Sequence, residues 1–396
     1  MSLKLSDKWK FGAIPGLLIH SCLGTVYCWS LLSDNLRDSM SGVSCDWAFS
    51  LAIFFLGVSA AFLGPLVEKN VKMSTLMGAL FFGVGMIVSG IACSLGNPVL
   101  FHIGYGVIMG IGLGIGYISP IKTMMLWFKN NKGLAAGIAI AGFGMAKVLG
   151  GPGFSYFLRH FGIAEMFIFH GLLYLLLMIL AVVYIKKPED EEEDVPIQKL
   201  KLSSWFTDIV DVFKLKNFWI YWIVFFINIT AGLSIISNEA VFFKYSGITI
   251  FNVGIAVSLC AICNSLGRLS TAWLSDFIKN KSNLLGIIML ISVMCCLMGF
   301  TTPAAVTWTV LVCNAGYGAM FALMPVVLSD VYGIEKLSKM HGVILSAWAL
   351  AGLLGNQIAR IALIFPDSYS PRIIIVGVII MYMFGAYFCT RLWKNR

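Results

Sequence analysis

Apolar residues run in long blocks along this chain, cut at short intervals by small clusters of polar and basic residues. A helix rises ~1.5 Å per residue, so about 20 residues cross a ~30 Å hydrocarbon core. On that ruler the chain divides into twelve spans, at about 11–33, 47–67, 73–93, 98–121, 133–157, 165–185, 217–238, 252–275, 283–302, 304–328, 340–364 and 371–391. The one long polar stretch, 186–216, separates the first six spans from the last six. It opens with KKPEDEEEDVP, which reads as a solvated linker. It continues with Trp205, Phe206, Ile209, Val210 and Phe213 at helical spacing, which predicts a short amphipathic helix lying on the membrane. The expected architecture is an all-α membrane protein of 12 transmembrane helices in two pseudo-symmetric six-helix bundles, 1–185 and 217–396, joined by a cytoplasmic linker at 186–216.

Composition agrees with that reading and removes alternatives. Of 396 residues, 59% are hydrophobic and 12% charged, where soluble domains carry about 25% charged residues. The net charge of +9 is not a nucleic-acid signature, because the bases flank membrane segments. With the N-terminus inside, inner segments hold 21 bases and outer segments 5, and the remaining two of the 28 are Lys147 and Arg268. That asymmetry predicts both termini in the cytoplasm and a multi-pass protein of the cell membrane. Lys4, Lys8 and Lys10 precede a first apolar run long enough to span, so that run is expected to be the first helix rather than a cleaved leader. The ten cysteines lie mostly inside apolar runs, and the Cys260/Cys263 pair has no second pair or histidine set to hold a metal. No cofactor is expected. A membrane-embedded enzyme would need clustered acids, histidines or a metal set near an interface, and the sequence offers none.

The halves carry matching marks. GPLVEKNVK (64–72) follows span two and AWLSDFIKNK (272–281) follows span eight, which aligns Glu68 with Asp276 at an offset of 208. Pro120 pairs with Pro325, and Gly137 with Gly342, at an offset of 205. Parallel repeats with a midplane site between them describe a rocking transporter. In span four, Gly110, Gly112, Gly114 and Gly116 give two interleaved small-residue faces for close helix packing.

Candidate chemistry lies in the charges at membrane depth. Arg268 stands 8 residues before Asp276, roughly 12 Å inside the apolar run, where a guanidinium that stays charged costs at least ~2.5–3.5 kcal/mol. Asn264, Arg268, Thr271 and Ser275 share one helix face, which must meet protein or a watery cavity. Either the arginine is a structural group on carbonyls or it holds an anionic cargo. Lys147, 14 residues from Gly133, lies about 21 Å along span five; it either turns outward or shares the cavity with Arg268. Glu165 and Glu239 are expected at outer helix ends, so no carboxylate is expected deep in a span. A cavity with bases and no acids selects anions, and a small carboxylate suits the arginine fork. His20, with Gly24 and Tyr27 on its face, is the one group near mid-depth that titrates near neutral pH, which makes it the candidate for proton coupling. Asn314, Tyr317, Phe321 and Met324 share a face of span ten and suit a cavity lining. Glu68, Asp276 and nearby lysines such as Lys72 are expected to latch the cytoplasmic ends of the halves.

The run YGVIMGIGLGIGYISPIKTMMLWFKNNKGLAAGIAIAGFGMAKVLGGP (105–152), with GTVYCWSLL (24–32), GPLVEKNVK and NSLGRLSTAWLSD, resembles the oxalate/formate antiporter branch of the major facilitator superfamily across essentially the whole chain. The resemblance implies alternating-access carboxylate transport, with Arg268 matching the substrate-binding arginine of span eight. It places Trp348 where the oxalate carrier has a lysine in span eleven, a departure that disfavours oxalate, and puts Lys147 where the family has a small residue. It maps an aromatic cage onto Tyr27, Tyr117, Tyr317 and Phe321. The expectation is a monomeric secondary carrier of small monocarboxylates of the lactate, formate or pyruvate class, with Trp348 and the aromatics enclosing the apolar end. Its partners would be the bilayer, the carboxylate, and a proton or counter-anion. Other readings are a dicarboxylate exchanger using Arg268 plus Lys147, and a non-transporting receptor on the same scaffold.

Overall fold

A computed structural model describes residues 5–189, 202–247, 250–362 and 369–394. Helices stand at each of the twelve expected places, and no strand occurs among the described residues. Ten of them are long and apolar enough to cross a membrane; the helices Ile250–Ser275 and Ser282–Met298 occupy the eighth and ninth places. Span one bends. It runs as α-helix over Ile14–Leu23 and tightens to a 3-10 helix over Gly24–Leu31.

Glycine sets the close approaches. Gly110 and Gly114 of span four lie against Ala52 and Leu56 of span two (Asp46–Lys69), while Gly112 lies against Phe82 of span three (Val71–Ser94) and Gly78 of that helix against Gly116. The two interleaved faces therefore serve two different neighbours. The repeat-related Gly137 and Gly342 also do matching work. Gly137, in span five (Lys132–His160), packs on Ala272 and the Arg268 carbonyl of span eight. Gly342, in span eleven (Leu337–Ala362), packs on Ala60 and Gly64 of span two. Spans five and eight, and spans eleven and two, are thus equivalent crossings between the first six helices and the last six.

The acidic part of the linker, 190–201, lies outside the described residues. The expected amphipathic helix is present at Leu202–Phe213. Ile209 and Val212 are buried, and the helix packs against spans two and eleven. An apolar stripe buries against whatever greasy surface is nearest, and here that surface is protein.

Candidate functional site

Span eight delivers Arg268 to the interior, where its side chain has no exposed surface. Among the described residues no carboxylate receives it, and it presents no surface to lipid. Its Nε donates to Asn264 Oδ1 at 2.7 Å, one turn earlier on the same helix. Nη1 donates to the Ile140 carbonyl of span five at 3.3 Å, and Nη2 has no hydrogen-bond partner. The guanidinium carbon stands 5.3 Å from the Phe321 ring centre and 5.6 Å from that of Phe143, in the range of cation–π attraction. Gly144 makes the approach possible, since a Cβ there would lie 3.3 Å from Arg268 Nε and 3.1 Å from Asn264 Oδ1.

The expected aromatic residues come together around it. The Tyr27 hydroxyl shares a 3.1 Å hydrogen bond with that of Tyr317, joining span one to span ten (Ala305–Tyr332). Ring centres of Tyr317 and Phe321 are 4.9 Å apart, those of Phe321 and Trp348 4.5 Å, and those of Tyr117 and Trp348 5.7 Å. The hydroxyls of Tyr27 and Tyr117 lie close to the guanidinium. Tyr117 Oη and Trp348 Nε1 are both buried without a partner. Together with Arg268 Nη2 they form a knot of unspent donors. Buried donors normally find acceptors, so this set suits an acceptor-rich guest.

Two further members carried no clear sequence signal. Phe143 touches Tyr27, Tyr117, Trp348 and Arg268 at once; its signal was its position four residues before Lys147, on one helix face. His341 is fully buried with both ring nitrogens unpartnered, 5.9 Å from the Tyr117 ring, and its place near the start of span eleven concealed its depth.

Above this cluster, away from the termini, lies a cavity of ≈ 300 Å³ bordered by Tyr27, Gly144, Lys147, Glu239, Asn264 and Asn314. The expectation of an acid-free cavity is corrected here. Span seven ends at Ile236, the chain turns at Ser237 and Asn238, and a short helix Glu239–Tyr245 begins with Glu239 pointing back into the protein. Glu239 Oε2 lies 3.4 Å from Lys147 Nζ, and Oε1 accepts from Asn314 Nδ2 at 3.0 Å. Lys147 is therefore already paired and does not reach Arg268's cluster as an unpaired second cation. Asp46 borders the cavity too, half-buried and hydrogen-bonded by Ser44 Oγ at 2.7 Å.

His20 does not border the cavity. Its Nδ1 faces the Gly16 carbonyl at 3.2 Å and its Nε2 the Tyr117 carbonyl at 3.1 Å. On the terminal side, Asp276 is received by main chain: Gly133 N–H donates to Oδ1 at 2.7 Å and Leu134 N–H to Oδ2 at 2.9 Å. These amides belong to the first turn of span five, where unpaired N–H groups and the helix dipole favour an anion. Lys72 lies in the first turn of span three, and the Glu68 side chain is outside the described residues.

The sequence model described as "Major Facilitator Superfamily" matches residues 12–356. Among curated proteins, the oxalate:formate antiporter of Oxalobacter formigenes is 24% identical over 361 residues, covering 89% of this chain and 84% of that protein. Apicoplast pyruvate carrier 1 of Toxoplasma gondii is 23% identical over 450 residues, covering 86% and 81%. Among solved structures, the transporter FucP in the outward conformation superposes with a TM-score of 0.66 at 15% identity, covering 95% of this chain and 98% of that one.

Proposed function

Because this chain belongs to the major facilitator superfamily, a family of multi-pass membrane transporters and not of enzymes, we propose that it is a secondary carrier of small monocarboxylates. The observation that carries this is Arg268: wholly buried, without a carboxylate partner among the described residues, with one nitrogen unspent and aromatic rings on two sides. A buried cation with no permanent counter-charge is costly to maintain, and an arriving carboxylate offsets that cost through charge-assisted bonds. The aromatics and Trp348 would receive the apolar end. The names of two relatives, an oxalate:formate antiporter and a pyruvate carrier, support the carboxylate class.

The pairing of Lys147 with Glu239 speaks for a monoanion over a dianion, because only one cation is left uncompensated. Transport would proceed by alternating access between the bundles 1–185 and 217–396. Asp276 on the N-terminus of span five would close the terminal side, with Glu68 and Lys72 as the related pair in the first half. The basic bias of the inner loops supports a cell-membrane protein with both termini in the cytoplasm. His20 faces two main-chain carbonyls, to one of which a neutral imidazole donates, and it lies outside the cavity lining, which suits a structural imidazole better than a travelling proton. Purified protein in proteoliposomes should accumulate labelled lactate, formate or pyruvate, faster with preloaded anion if it exchanges. Binding without accumulation would point to a receptor instead.

A further inference from the structure

Lys147 and Glu239 take no part in the arginine cluster, yet both border the cavity above it. Their side chains are 14% and 5% exposed. The carboxylate stands where a cargo carboxylate would stand if the lysine were a binding group. We propose that Glu239 fixes the valence of the cargo: as a resident counter-carboxylate it cancels Lys147 and makes the carrier select monoanions over dianions. This rests on the carrier reading above and names the substrate class for that site.

The argument is one of charge and access. Span five supplies Lys147 and the short helix after span seven supplies Glu239, so the pair crosses between the first and last six helices at the rim of the cavity. With the pair intact, Arg268, buried directly behind the cavity-lining Asn264 that its Nε meets, is the cation next to the cavity that has no carboxylate partner among the described residues. A monoanion on Arg268 balances it. A dianion brings a second carboxylate toward Glu239, and like charges in a desolvated site repel strongly. To reach Lys147 it must displace Glu239, which would leave that buried carboxylate without its cation, held by neutral partners such as Asn314. Asp46, the other acid at the cavity, is half-buried at the mouth, where water screens it.

The device is also adjustable. At 3.4 Å the Lys147–Glu239 contact is longer than the ~2.7–2.9 Å of a tight charge-assisted bond, so the ammonium is within reach of another acceptor once Glu239 loses its charge. Glu239→Gln keeps the shape and the carbonyl oxygen that Asn314 uses, and it removes the charge.

The test compares lactate with oxalate by ligand-induced thermal stabilisation of detergent-purified protein, alongside uptake in proteoliposomes. Wild type should bind lactate at least about tenfold more tightly than oxalate. Glu239→Gln should shift that ratio about tenfold toward oxalate, and the double variant Lys147→Gln/Glu239→Gln should return it toward wild type. An unchanged ratio in Glu239→Gln, a shift that persists in the double variant, or a wild type that prefers oxalate overturns the proposal. The wild-type comparison stands even if Glu239→Gln fails to fold. Binding in detergent does not require transport, so a protein that prefers lactate but never accumulates it sinks the carrier reading and leaves the valence rule intact.

Discussion

Arg268 and Lys147 are both cations inside apolar helices, and they sit on helices that cross one another. Lys147 has a carboxylate at 3.4 Å and reaches a cavity wall. Arg268 has an amide oxygen, a carbonyl and two aromatic faces, and keeps one nitrogen unspent. A protein that can pair one buried cation has the means to pair the other. On the proposed carrier reading, Arg268, without an acid among the described residues, is the group reserved for something that comes and goes, while Lys147 belongs to the framework and its charge balance.

The comparison can be broken most directly at Arg268. Arg268→Ala should cut carboxylate uptake by roughly 100-fold, the upper range for losing charged hydrogen bonds of ~1.5–3 kcal/mol. It should leave the melting temperature unchanged or higher, since an uncompensated buried charge is removed. Arg268→Lys, a point charge without the fork, should fall between. A variant that transports normally would reverse the assignment. Lys147→Met should behave in the opposite way. It strands Glu239 in a buried place at a cost of about 3 kcal/mol, so the melting temperature should fall by several degrees, and Glu239→Gln on top should recover most of it. Equal stability losses at Arg268 and Lys147 would erase the distinction.

A smaller effect is expected at the far end of span eight. Asp276→Asn keeps one acceptor and loses both the second bond and the charge at the helix N-terminus, together ~1–2 kcal/mol. The terminal side should open about tenfold more often, read as the rate at which a bulky thiol reagent reaches a cysteine placed at Ser275. Peptide-level mass detection separates that thiol from the ten native ones. The smallest effect is expected at His20. His20→Asn should leave uptake within about twofold and its pH profile in place, because the imidazole faces main-chain carbonyls and does not line the cavity. A displaced pH profile would make His20 a coupling group.

Much of this was readable in the chain. The lengths of the apolar runs placed a helix at each of the twelve expected positions, because a bilayer imposes one ruler on all of them, while short helices such as Glu239–Tyr245 carried no such mark. Arg268 was legible because a permanent charge in an apolar run has few explanations, and Asn264 one turn away on the same face proved to be its partner. The glycine pair at positions 137 and 342 was legible as a repeat, and each does the same packing work. Glu239 was misjudged for a physical reason. Depth was counted along straight helices, and the turn at Ser237 and Asn238 that folds the acid inward is a tertiary choice. The Leu202–Phe213 helix was legible from its apolar stripe, but its packing on spans two and eleven was not, since a stripe does not say which surface will cover it.

That helix has a consequence of its own. Ile209 and Val212 are buried in this helix, which packs across spans two and eleven, one from each half. A belt buckled to both edges of a seam resists the parting of those edges. On the alternating-access reading, the segment between the halves must therefore let go of one edge in every turnover, and the strength of that grip becomes a brake on the cycle, set far from the cargo.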